Sequence, residues 1–328
     1  MFNPCETSYS LEKHLIPYLQ DVPFFCEISR HLRKIPTMDI PTAAVTYDPK
    51  SEDMALFYNP EFMDSLGNWQ TRGVLNHEFY HLIFGHLQFR RKQPGRLWNV
   101  ATDLAINSII LDNASGGNGA PRALSSDRND GPLPGFALVP GQWPQNPEGR
   151  EYTKEEKEGM QLAGIIASLP VKKASEWYFN EIMRQAQDLY KKGKLKPGKG
   201  GGMKIPGVGG NPRMGEDGDP QQGEGQGGGM GVPGLDDLFE GSGIGSMDDH
   251  SPWDGIPEDQ RDIVEGKVRA IVEKAVRYAD QLSNGWGNIP AEMREEIRRS
   301  ISTIVNWRNV LRQFIGSLIR GHRRTSIK

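Results

Sequence analysis

Two histidines and a glutamate lie within five residues of one another, in the order His77, Glu78 and His81. In a helix, positions i and i+4 are separated by about 40° around the axis, so His77 and His81 would present their imidazoles on one face, with Glu78 beside them. Two neutral imidazoles suit Zn²⁺, and an adjacent carboxylate that does not bind the metal can take a proton from the metal's bound water. Peptide hydrolysis is the chemistry that this arrangement commonly serves.

The residues around this pattern predict a buried helix over residues 69–89. Its apolar positions recur at helical spacing and surround most of the helix, namely at Val74, Leu75, Phe79, Leu82 and Ile83. Polar side chains on a buried helix need partners, so His77, Glu78 and His81 are expected to have a defined role. Of the seven histidines in the chain, three fall within ten residues, at His77, His81 and His86, which is far from an even scatter.

A second apolar helix is predicted over residues 97–111, and it places Asp103 and Asn107 four residues apart on one side. Catalytic zinc usually has three protein ligands and one open position, so His77 and His81 leave one place to fill. Asp103 and His86 compete for it. On an unbroken helix His86 would point about 180° from His77, so only a sharp turn at Gly85 could bring it to the metal.

Composition and charge restrict the class of protein. The chain has 328 residues, of which 36% are hydrophobic, and this length suggests one large or two modest domains. Its formal net charge of -3 gives no argument for nucleic-acid or membrane binding. Two cysteines, Cys5 and Cys26, are too few for a disulfide framework, and neither a secretory signal nor a membrane-spanning apolar run is visible. The expected location is the cytoplasm, and the locally basic stretch from Arg320 to Lys328 is interpreted as a solvated tail.

Upstream of the histidines, residues 11–34 have a helical pattern broken near Pro17 and Pro23. Two β-branched or apolar runs, at residues 42–47 and 53–58, flank a turn at residues 48–51 and predict a hairpin. A strand just before a metal-binding helix could lie at the rim of a cleft and pair with an extended peptide. We expect this of Met54 to Tyr58, with an internal strand as the alternative.

Downstream, residues 151–191 return to a helical pattern, and residues 257–282 and 290–319 carry apolar side chains at helical intervals. Between them, 20 of the 56 residues in the segment 191–246 are glycine, which predicts a flexible linker. The expected organisation is an α+β domain over residues 1–190, a linker over 191–246, and a C-terminal helical region over 247–328 that packs on the first domain.

Two segments together resemble a known family. His77 to His86 reads H-E-x-x-H-x-x-x-x-H and Trp98 to Asn107 reads W-N-x-A-x-D-x-x-I-N, as in a family of motif-defined zinc metallopeptidases that usually precede a von Willebrand A-like domain in bacterial and phage proteins. The resemblance implies a zincin-like fold with a small sheet and active-site helices. We expect the A-like domain to be absent from this chain, so that such a domain, or an ATPase, would act as a separate partner.

The third metal ligand can be compared with two zincin classes. Asp103 on the helix after the histidines resembles the gluzincin arrangement, in which a carboxylate from the next helix completes the site and a polar residue four positions later supports a ligating histidine. The resemblance implies that Asp103 is the third ligand and that Asn107 supports a histidine. Metzincins use a glycine and a third histidine, but at a longer interval than His81 to His86, so His86 remains the alternative ligand.

The function predicted from the sequence is that of a zinc-dependent endopeptidase acting on a protein or peptide. His77, His81 and Asp103 would hold Zn²⁺ and Glu78 would be the general base. A donor for the developing oxyanion is also required, and Tyr80, Tyr58 and His250 are the candidates. The alternative is a catalytically silent zincin-like scaffold or regulatory protein of a phage or of an ATPase-associated complex. The intact Glu78 argues against that alternative.

Overall fold

The computed structural model describes residues 2–87, 92–114, 131–144, 150–193 and 260–302. Most of the predicted glycine-rich linker lies outside these ranges, as do His250 and the basic stretch from Arg320 to Lys328. The domain boundaries near residues 190 and 246 therefore stay predictions.

Three short helices open the described chain: α1 (Glu12–Leu15), α2 (Tyr18–Asp21) and α3 (Pro23–Arg30). Pro17 directly precedes α2, and Pro23 is the first residue of α3, where the missing amide hydrogen and fixed φ of proline are tolerated. The breaks predicted near both prolines are confirmed. The apolar face of α3 is buried, and Phe24, Phe25 and Ile28 belong to the main hydrophobic core.

A three-stranded sheet follows, made of β1 (Arg33–Pro36), β2 (Ala43–Asp48) and β3 (Asp53–Tyr58). β2 and β3 pair antiparallel in a hairpin, from Ala43 opposite Tyr58 to Asp48 opposite Asp53, as the sequence predicts. β1 pairs parallel with the other side of β3, so the strand order is β1-β3-β2. With helices around this sheet, the fold of the described chain is α+β.

The edge-strand prediction for Met54 to Tyr58 is wrong. β3 is the central strand, and β1 and β2 use the hydrogen-bonding groups on its two sides. The error arises at β1, whose first two residues, Arg33 and Lys34, fall in the segment expected to be helical. A four-residue strand is too short to show a period of two, and its parallel partner lies about twenty residues away in sequence. The strand that packs against the helix carrying His77 and His81 is instead β2.

Two long helices carry the site. After α4 (Pro60–Asp64), which Asn59 caps by accepting from the backbone N–H groups of Glu61 and Phe62, comes α5 (Asn68–Ile83). This helix ends earlier than the predicted residue 89, because Gly85 adopts a left-handed φ of 66° and turns the chain. The next helix, α6 (Gly95–Ala114), covers the predicted residues 97–111 and extends at both ends.

The segment after α6 forms a second, smaller core. The described residues 150–193 form α7 (Lys154–Gly159), α8 (Gln161–Ser168) and α9 (Ser175–Lys191), where the sequence predicts helical structure. α9 packs along α6, and the buried side chains at this junction include Trp98, Tyr178 and Ile182. This contact holds the start of α9 near the end of α5.

The two described C-terminal helices, α10 (Arg261–Gln281) and α11 (Ala291–Ser302), return to the first part of the chain. α10 packs on α3, and its apolar side chains join the same core as the N-terminal helices and the sheet. Between the two helices Trp286 stacks on Phe24, with ring centroids 4.7 Å apart and planes at 19°. Among the described helices, none is both long and apolar enough to cross a membrane.

Candidate metal centre

Three side chains from α5 and α6 converge where the helices pack together. Nε2 of His77 lies 2.8 Å from Nε2 of His81. Oδ1 of Asp103 lies 3.7 Å from Nε2 of His77 and 3.5 Å from Nε2 of His81. The two histidines are 0% exposed and Asp103 is 2% exposed. All three donor atoms lie within 4.8 Å of one another, which makes this a group that could hold a metal ion.

Asn107 determines which nitrogen of His77 carries its proton. The amide Nδ2 of Asn107 donates to the carbonyl oxygen of Leu138 at 2.9 Å, so its Oδ1 is the atom that faces Nδ1 of His77, at 2.8 Å. An amide oxygen can only accept, so Nδ1 of His77 donates to it. The Nε2 of His77 therefore presents a lone pair toward His81 and Asp103, as a metal ligand must.

His81 is contacted on its opposite edge by His86. The turn at Gly85 lets the backbone N–H of His86 donate to the carbonyl oxygen of His81 at 3.0 Å. The ring of His86 then lies behind His81, with the two Nδ1 atoms 3.2 Å apart. The turn that the sequence required at Gly85 is present, but it brings His86 to Nδ1 of His81 and not to the Nε2 that faces His77 and Asp103.

Glu78 follows His77 on α5 and contacts β2. It is 0% exposed, and its Oε2 accepts from the backbone N–H of Val45 at 2.8 Å. Val45 belongs to β2, so the hairpin contacts the carboxylate directly through its backbone. This bond restricts the orientation of the Glu78 carboxylate. Such a placement suits a group that exchanges a proton near a metal without binding it.

Of the three predicted oxyanion donors, the structure describes Tyr80 and Tyr58. The hydroxyl of Tyr80 accepts from Nδ2 of Asn113 at 3.2 Å, and burial raises the pKa of this phenol far above its usual range. Tyr58 lies on the central strand with its ring centroid 6.2 Å from that of Tyr9, and burial raises its pKa as well. His250 lies outside the described residues. Their role as oxyanion donors stays a prediction.

Three contacts of the site were not predicted from the sequence. They are the Val45 N–H, the Leu138 carbonyl and the Ser175 hydroxyl, whose oxygen lies 3.3 Å from Nε2 of His86. Two of them are backbone groups, which every residue carries, so no residue type marks them. The third, Ser175, is 89 residues from His86 along the chain. None of the three had a local signal in the sequence.

A comparison with known families identifies the chain at the family level. The model of a family described as "Putative metallopeptidase domain" matches residues 20–327. The chain belongs to this metallopeptidase family. The resemblance drawn from the two motifs is thereby confirmed, and the buried cluster of His77, His81 and Asp103 is consistent with a metal ion in a member of the family.

A relative in Thermotoga maritima matches part of the chain. An uncharacterised protein of Thermotoga maritima is 24% identical over 110 residues, a match that covers 33% of this chain and 28% of that protein. The aligned segment thus spans less than a third of the relative's length. No solved structure matches the chain.

Proposed function

We propose that the protein is a zinc-dependent endopeptidase in which His77, His81 and Asp103 hold the metal and Glu78 is the general base. The observation that carries this proposal is the convergence of two imidazole nitrogens and a carboxylate oxygen within 4.8 Å in a buried site. Asn107 supports it, because this amide keeps the proton of His77 on the nitrogen that faces away from the cluster.

The three donors suit zinc. Two neutral imidazoles and one carboxylate form a common catalytic ligand set, which leaves a fourth position for water or substrate. In a tetrahedral site with bonds of about 2.0–2.1 Å, donor atoms are separated by about 3.3 Å. The distances from Asp103 to the two histidines, 3.7 and 3.5 Å, are close to this value. The 2.8 Å between His77 and His81 is shorter, and a small rotation of either ring would lengthen it.

The reaction follows from the roles of the surrounding groups. Zinc supplies a Lewis acid that polarises the scissile carbonyl and makes water a stronger acid. Glu78 takes the proton from the attacking water and then gives it to the leaving amine. The Val45 N–H holds Oε2 of Glu78 and so orients the carboxylate. We further propose that the hairpin and α5 belong to a zincin-like fold. The proposed substrate is a protein or peptide.

The second candidate function is a metal-stabilised scaffold without turnover. The observation that favours it is burial, since His77, Glu78 and His81 are all 0% exposed. A substrate carbonyl has to approach the metal and the base directly, so an endopeptidase needs a conformation in which these groups are accessible. A scaffold does not need that conformation.

The first experiment measures zinc per chain by elemental analysis on protein purified without added metal. We expect about one zinc in the parent and its loss in Asp103→Ala, because the variant lacks one of three ligands. Asp188→Ala is the matched control, since Asp188 pairs with Arg184 on the surface of α9. A folded parent without zinc would overturn the proposal. Zinc at full occupancy together with no cleavage of a fluorogenic peptide library would favour the scaffold.

A further inference from the structure

We infer that His86 is a positioning residue that holds His81 in the tautomer needed for metal binding, and that Ser175 completes this arrangement. The inference rests on the proposed metal site and assigns His86 a role different from that of a third ligand. Each contact requires one particular ring nitrogen of His81 or His86 to donate and another to accept.

The two ring nitrogens of His81 face different groups. Its Nε2 faces His77 and Asp103, and its Nδ1 faces Nδ1 of His86 at 3.2 Å. If Nε2 gives its lone pair to a metal, the proton of the neutral ring is on Nδ1. His81 then donates to His86. The Nδ1 of His86 must therefore be an acceptor, and the two rings cannot both carry a proton on the atoms that face each other.

The other ring nitrogen of His86, Nε2, faces Ser175. A neutral imidazole with an accepting Nδ1 carries its proton on Nε2. This nitrogen lies 3.3 Å from the hydroxyl oxygen of Ser175, which can accept. When a metal is bound, His81 therefore donates to His86, and His86 donates to Ser175. Reversing the proton on any member would place two hydrogens or two lone pairs against each other.

Packing holds the ring of His86 in this orientation. The side chain is 1% exposed, and its ring lies edge-on to Trp98, with centroids 5.9 Å apart and planes at 85°. Phe84 covers another side, with centroids 5.8 Å apart. Because Trp98 belongs to α6, which also carries Asp103, the helix that supplies the carboxylate also restrains the residue behind His81.

The two metal-binding histidines are therefore supported differently. His77 donates to the amide of Asn107, whose other end donates to the backbone of Leu138. His81 is held by a histidine and a serine, both of which can either donate or accept. Ser175 also lines a cavity of about 420 Å³ that reaches Lys172 and Glu296. A water molecule in this cavity could replace the serine hydroxyl, so His86 should matter more than Ser175.

The test uses zinc affinity, measured by competition with a chromophoric chelator on the full chain. His86→Leu should raise the zinc Kd about 10- to 100-fold, as expected when a group that supports a ligand is removed. His86→Asn should restore most of the affinity, because the Asn Oδ1 can occupy the position of Nδ1 and accept from His81. Ser175→Ala should weaken binding less than His86→Leu. His31→Leu, at a partly buried histidine that pairs with Glu27, is the matched control.

X-ray absorption at the zinc edge separates positioning from direct ligation. We expect two imidazoles on zinc in both the parent and His86→Asn. Loss of one imidazole in His86→Asn, or three in the parent, would make His86 a ligand and overturn the inference. Parent-like affinity in His86→Leu would also overturn it, while a parent that binds no zinc overturns the proposed function itself. If His86→Leu does not fold, the result for His86→Asn still decides between the two roles.

Discussion

Two helix junctions in this protein are built from opposite kinds of side chain. Where α5 meets α6, the buried groups include His77, His81 and Asp103, with Asn107 behind them. Where α10 meets α3, the buried groups are mainly apolar, and Trp286, in the segment after α10, stacks on Phe24. Polar atoms at the second junction, such as the Asp280 carboxylate, lie toward the surface.

The difference indicates that one junction serves metal binding and the other serves the stability of the fold. Burying imidazoles and carboxylates is unfavourable unless each finds a partner, and apolar residues of similar volume would often stabilise such a junction. The α5 and α6 junction therefore suits metal binding better than it suits folding. The α10 and α3 junction is an ordinary core. Substitutions at the first should change metal binding or turnover, and substitutions at the second should change the free energy of unfolding.

The largest effect is expected at the site, for Glu78→Gln. The amide cannot take a proton from water, so peptide cleavage should fall by about 10²- to 10⁴-fold in kcat. Zinc per chain and the melting temperature should stay close to those of the parent, because Glu78 is not one of the three proposed ligands and the Gln side-chain oxygen can still accept from the Val45 N–H. Cleavage of a fluorogenic peptide and elemental analysis measure the two quantities.

The matched control for this substitution is Glu61→Gln, at an exposed position of α4. It removes a carboxylate of the same kind away from the cluster, so it should leave cleavage unchanged. Retained cleavage in Glu78→Gln would remove Glu78 from the mechanism. Loss of zinc in the same variant would instead make Glu78 part of the metal site.

The second prediction tests the apolar junction with Trp286→Ala. Trp286 lies in the segment that joins α10 to α11, is 6% exposed and stacks on Phe24. Its removal should lower the free energy of unfolding by about 3–5 kcal/mol, measured by urea denaturation. The folded fraction should still bind the same zinc per chain.

Trp69→Ala is the comparison for this second prediction, because Trp69 is 62% exposed in the first turn of α5. Its effect on unfolding should be small. A loss of zinc in folded Trp286→Ala would show that the two junctions are coupled and would contradict their separation.

The grouping of His77, His81 and Asp103 was easier to predict from the sequence than the order of the strands, because the two depend on interactions of different range. Periodicity within one helix placed His77 with His81 and Asp103 with Asn107. The position of β3 depends on β1, a four-residue strand that pairs with it in parallel, so no local pattern showed that β3 is central. The contact of Val45 with Glu78 is a backbone contact and carries no signal of residue type. The turn at Gly85 could be anticipated, but not which nitrogen of His81 would meet His86.

The third prediction concerns the support of His77. Asn107→Leu removes the acceptor for Nδ1 of His77, so His77 can carry its proton on either nitrogen and the zinc Kd should rise about 10- to 100-fold. Asn113→Leu is the matched control on the same helix, because Asn113 bonds with Tyr80 instead of the cluster. Equal zinc affinity in the parent and Asn107→Leu would show that packing alone orients His77.

The smallest effect is expected at the rim of the apolar junction. Burial alone would raise the pKa of Asp280, but hydrogen bonds from Trp286 and Arg298 outweigh it and hold this pKa below its usual value. The folded-state pKa is therefore lower than the unfolded one. The stability that it contributes is present above the unfolded pKa and is lost as the pH falls through the folded one.

Asp280→Asn keeps an oxygen that can accept from Trp286 but removes the charge that pairs with Arg298. Because the pair is partly exposed, the variant should be less stable at pH 7 by about 0.2–1 kcal/mol, and less so in high salt. Urea denaturation of both proteins over a pH series should show the gap closing in acid, as Asp280 of the parent becomes protonated. A gap that persists in acid would mean that the amide disturbs the packing of Trp286. Zinc content should not change at any pH where both proteins are folded and the histidines are neutral, since the carboxylate at this junction supports the fold and not the metal.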